Sequence, residues 1–146
     1  DGRENPRVFI LSEGLVLSIV MDGPGQHLVE FGEWVSSTHT IKGELSFPTE
    51  PEVDPNAPYD VLADESSTRC GFCHLGVVES PDRPGAYVSA ALQPQADTLV
   101  PINELNAEYI SCNSQRTPER CDMFHALFHQ GPVREGAFDE EVQHIF

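Results

Sequence analysis

The stretch RCGFCHLG, residues 69–76, carries the densest reactive chemistry in the chain. Cys70 and Cys73 stand three positions apart, and His74 follows at once. This pattern serves four different chemistries. It can anchor a haem covalently, form a dithiol redox pair, supply half of a tetrahedral zinc site, or contribute the ends of disulfides. Two further cysteines, Cys112 and Cys121, and a histidine pair, His125 and His129, lie downstream.

The haem reading has a specific physical logic. Two thiols add across the porphyrin vinyl groups, and the adjacent histidine comes under the iron as proximal ligand. Here Cys70-Gly71-Phe72-Cys73-His74 resembles the attachment signature of the c-type cytochromes. The resemblance implies one covalent haem c, with Cys70 and Cys73 as thioether positions and His74 on the iron. A sixth ligand would come from His125, His129 or Met123. The implied activity is single-electron transfer, or service as a haem-bearing subunit, with no catalysis of its own.

Three other readings compete. A thioredoxin-like dithiol needs a buried strand before the motif and a long helix after it. Here the preceding ADESST (63–68) is polar, and HLGVVESPDRPG (74–85) is broken at Pro81 and Pro84. Zinc would need two more ligands from Cys112, Cys121, His125 or His129, and the second cysteine pair is loosely spaced. His125 and His129 lack the glutamate that follows the first histidine of a zincin helix. The remaining alternative is a disulfide-stabilised binding or structural module in which Cys70 and Cys73 also enter disulfides.

The elements that would position these residues fall into an α+β pattern. The first 47 residues read as a small antiparallel β part: RVFIL, LVLSIVM, HLVEFGEWV and TIKGELSF are rich in branched and aromatic residues, with DGPG (22–25) as a turn. Ile41, Leu45 and Phe47 alternate with Lys42, Glu44 and Ser46, while Gly43 interrupts the inner row and suggests a bulge. Residues 48–58, PTEPEVDPNAP, form a Pro-rich acidic connector. Residues 59–146 complete a single domain, 1–146, with the CxxCH motif and two helices.

In PINELNAEYISC (101–112), Ile102, Leu105, Tyr109 and Cys112 share one stripe. In TPERCDMFHALFHQG (117–131), Thr117 suits the N-cap, Pro118 the first helical position, and Gly131-Pro132 the stop. Cys121, Phe124 and Phe128 lie along its apolar edge, beside Met123 and Leu127. The short loop predicts a helical hairpin that brings Cys112 and Cys121 within reach of a disulfide. Four cysteines allow three connectivities, and the sequence does not choose among them. DEEVQHIF (139–146) suggests a last short helical turn.

Charge bounds the partners. Twenty-four acidic residues face eight basic ones, a formal net charge of −16, and Lys42 is the sole lysine. Such a surface repels nucleic acid and anionic lipid and favours a basic partner, here a basic redox protein or assembly partner. No apolar run reaches the roughly 18 residues of a membrane span. An even cysteine count fits an oxidising compartment, and a start at Asp1 fits a removed signal peptide or a trimmed chain. The expectation is an exported protein, periplasmic or extracellular.

Overall fold

The computed structural model describes residues 3–60, 71, 74 and 76–145. Four strands open the chain as an antiparallel meander: β1 (Arg7–Ser12), β2 (Leu15–Val20), β3 (Leu28–Trp34) and β4 (His39–Ser46). Glycines with positive φ make the tight reversals: Gly14, at φ 75°, turns β1 into β2, and Gly23 and Gly25 sit in the DGPG turn. After β4 the chain runs irregularly to a four-residue helix, α1 (Ala57–Asp60). Two later strands, β5 (Val78–Glu79) and β6 (Tyr87–Ala90), join the sheet beyond β4. The order is β1-β2-β3-β4-β6-β5, with each pairing antiparallel.

The remaining elements are β7 (Leu92–Gln93), α2 (Ile102–Ser111), α3 (Pro118–Phe128) and β8 (Gln143–His144). An N-terminal antiparallel sheet followed by C-terminal helices is therefore the architecture, as the period-2 and period-3.6 patterns require.

Alternation gives the sheet two distinct faces. One face carries Val8, Ile19, Val29, Phe31, Ile41 and Val88. The helices cover one part of it. Met123 and Phe124 of α3 pack with Ile19 and Met21, flanked by Leu105, Tyr109 and Phe128. Phe124 and Met21 are fully buried, and a phenylalanine so placed contributes roughly 1.5–3 kcal/mol by leaving water. Tyr59 of α1 covers the neighbouring part, packed with Ile41, Ala86 and Phe31.

Gly43 makes this second cluster possible. It is no bulge: Phe31 pairs directly with Gly43 in an unbroken register. A Cβ on Gly43 would lie 2.1 Å from Phe31 Cζ. The missing side chain is thus the space the Phe31 ring occupies, and the ring meets Tyr59 edge-on, with centroids 6.2 Å apart.

The opposite face carries Phe9, Leu11, Val16, Trp34, Thr40, Lys42 and Ser89. The C-terminal segment lies against it. Phe138 meets Phe9 edge-on at 5.3 Å, and a Cβ on Gly136 would sit 3.2 Å from Leu11 Cδ1. Val142 is buried, and Glu141 accepts a 2.8 Å hydrogen bond from Ser37. The segment then pairs β8 parallel to β7 instead of forming a helical turn. Gln93 Nε2 donates to the Val142 carbonyl and Ile145 N–H to that of Gln93, which anchors the strand.

Candidate binding surface

Cys70 and Cys73 lie outside the described residues. His74 is described, and its ring is tied into the sheet edge. Its Nδ1 lies 3.0 Å from the Ala90 carbonyl, and since a carbonyl only accepts, Nδ1 carries the proton. Lys42 reaches the same carbonyl from β4, the strand paired with β6. Its ammonium donates to Thr40 Oγ1 at 2.7 Å and to the same Ala90 carbonyl at 3.2 Å. Burial and the nearby Lys42 charge lower the His74 pKa to about 4, although the Ala90 bond acts in the opposite sense. His74 is therefore a neutral, half-buried structural donor at neutral pH.

This arrangement overturns the haem reading. The sixth ligands expected from the sequence are committed elsewhere. Met123 is buried in the α3 core against Ile19, Met21 and Phe124. His125 and His129 stack on each other on exposed α3, centroids 4.2 Å apart, with Tyr109 edge-on to His125. His74 instead hydrogen-bonds β6. Among the described residues no group of three or more His, Cys, Asp or Glu side chains is placed to hold a metal ion. Among the described residues, Cys112 and Cys121 form an ordinary disulfide cross-link. The c-type cytochrome resemblance is thus a match of five residues without the converging ligands that haem chemistry needs. The haem c, iron, metal-binding and electron-transfer expectations fall with it, as does zinc shared by Cys112 and Cys121.

The cross-link itself follows from local sequence. Pro118 occupies the first helical position of α3 behind Thr117, though the Thr117 hydroxyl makes no capping bond. Cys121 therefore falls in the first turn of α3, opposite Cys112 just past the end of α2, with Cα atoms 5.7 Å apart. Arg120 reinforces the same junction. It pairs with Glu108 of α2 at 2.6 Å, donates to Asn5 Oδ1 at 3.0 Å, and covers the Phe124 ring at 5.1 Å. Further along, Tyr109 stacks on Phe128 with centroids 5.5 Å apart.

A second locus, unmarked in the sequence reading, lies on the other face. The β1–β2 turn, the end of β3 and the C-terminal segment enclose an open groove of about 390 Å³. Leu11, Trp34 and Phe138 give it apolar walls, Ser12, Ser36 and Ser37 give hydroxyls, and Asp139 gives a carboxylate. Phe9 braces Phe138, and Trp34 N–H donates to the Gly14 carbonyl at 3.0 Å, fixing the indole's backbone to the turn.

Compared with protein families, with curated proteins and with solved structures, the chain shows no match.

Proposed function

We propose that the chain is an exported, disulfide-stapled binding or structural module that acts through its surface and catalyses no reaction. The observation that carries this reading is the Cys112–Cys121 disulfide at the α2–α3 junction. Disulfides persist in oxidising compartments, where small domains use them as braces. The charge of −16 supports a basic partner, because a strongly acidic surface accelerates encounter with one. In this reading residues 1–146 act as one domain. Residues 48–58 serve as the connector between its β part and the remainder, and α2 with α3 as the helical hairpin closed by the disulfide.

The reading is tested on the chain recovered from the compartments outside the cytoplasm of its source. At low ionic strength it should travel with a basic protein as a complex larger than the chain alone, and added salt should release it. A chain confined to the cytoplasm, or one that migrates alone at low salt, contradicts the reading.

Among the described residues no helix is long and apolar enough to cross a membrane.

A further inference from the structure

The groove beside Trp34 has features that select one kind of occupant. Its open volume, about 390 Å³, suits one or two side chains of a protein partner. Its walls are preformed: Phe138 is held edge-on by Phe9 at 5.3 Å, and Leu11 is packed against Gly136. Preformed walls reduce the ordering cost of binding.

Three independent terms then favour a cation. The first is the indole of Trp34, the aromatic ring that attracts cations most strongly. The second is Asp139. Its Oδ1 accepts the Glu141 N–H at 2.9 Å, which fixes the carboxylate in the groove lining. The third is the field of the whole molecule, −16 in formal charge, to which Glu13, Glu140 and Glu141 add close by in the chain. No basic side chain lines the groove among the described residues.

Arginine fits these terms better than lysine. Its planar guanidinium stacks on an indole and presents paired N–H donors to a carboxylate, whereas an ammonium is a compact, strongly hydrated point charge. Apolar neighbours of that arginine would meet Leu11 and Phe138. We infer that the Trp34–Phe138–Asp139 groove is a docking site for an arginine side chain, flanked by apolar residues, on an exposed segment of a basic protein partner. This rests on the binding-module reading and locates its contact.

Trp34 is the sole tryptophan, so its fluorescence reports on the groove directly. The probe is a blocked peptide, Gly-Leu-Arg-Leu-Gly, titrated into the oxidised chain of residues 1–146. Its counterpart carries citrulline, which keeps the shape and loses the charge. The arginine peptide should shift Trp34 emission saturably, and the citrulline peptide should bind about tenfold more weakly. Asp139→Asn keeps the Oδ1 acceptor and removes the charge, and should weaken binding about five- to tenfold. Trp34→Phe, followed by anisotropy of a labelled peptide, should weaken it by about threefold or more.

Glu50→Gln with Glu52→Gln, in the Pro-rich run, should change little. Absence of binding, equal binding of the citrulline peptide, or equal weakening by the Glu50/Glu52 pair and by Asp139→Asn would overturn the assignment. So would binding that leaves Trp34 emission unmoved. Each of these removes the groove alone; the module reading fails separately, if the chain has no salt-released partner.

Discussion

At the scale of single residues, His74 sets a pH dependence whose sign can be worked out. An unfolded chain takes up a proton on this ring near pH 6.5, and the folded chain only near 4. Between those values the unfolded state binds more protons. The stability associated with the neutral ring is complete above about pH 6.5 and is lost as pH falls towards about 4. His74→Gln keeps a donor for Ala90 and removes the titration. The gap in denaturant midpoint between the two proteins should therefore shrink as pH is lowered from 7 to 4; a gap independent of pH contradicts the buried neutral ring. A second residue-scale prediction concerns Gly43. Gly43→Ala places a methyl 2.1 Å from the Phe31 ring and should cost about 1–3 kcal/mol, the usual range for overpacking. In a Phe31→Ala background the added cost of Gly43→Ala should largely vanish, giving a strongly non-additive cycle. The alternation of β4 made Gly43 visible as a gap in the inner row. It did not reveal that the gap is filled from β3, because side-chain register across strands is a tertiary property.

At the scale of elements, the α2–α3 junction is held by one covalent and several non-covalent contacts. Closing the loop across a separation of 9 residues should stabilise by about 2–3 kcal/mol. Replacing both Cys112 and Cys121 by Ala should lower the unfolding free energy by that amount, read as a fall in the urea midpoint of about 1–2 M. Phe124→Ala removes a fully buried ring and should cost about 3–5 kcal/mol. These elements were legible because their signals are local. The stripe Ile102, Leu105, Tyr109 and Cys112 is half-buried as its spacing demands, and Pro118 marks the start of α3. The last residues were not legible. DEEVQHIF has neither clean period, and β8 exists because β7, some 50 residues earlier, offers a parallel edge. Such pairing is chosen by long-range contacts, which a local window does not contain.

At the scale of the whole molecule, the groove gathers Leu11, Trp34 and Phe138 from three distant parts of the chain. No motif spans such separations, so the sequence does not mark the groove. The opposite failure occurred at Cys70–His74. A compact motif was fully visible, yet haem chemistry also needs ligands converging from elsewhere, and Met123, His125 and His129 are committed to the core and to each other. The acidic field gives a further expectation. Association with a basic partner should slow several-fold between low and physiological salt, as the Debye length contracts to about 8 Å. An on-rate indifferent to salt, read by stopped flow, contradicts steering. Non-reducing peptide mapping with intact mass, on chain isolated from its source, separates a disulfide-stapled module from a haem protein. The module should yield a cross-linked peptide joining Cys112 to Cys121 and carry no haem mass. Free thiols at these two positions, a bond from either to Cys70 or Cys73, or a covalent haem adduct of about 616 Da would contradict it.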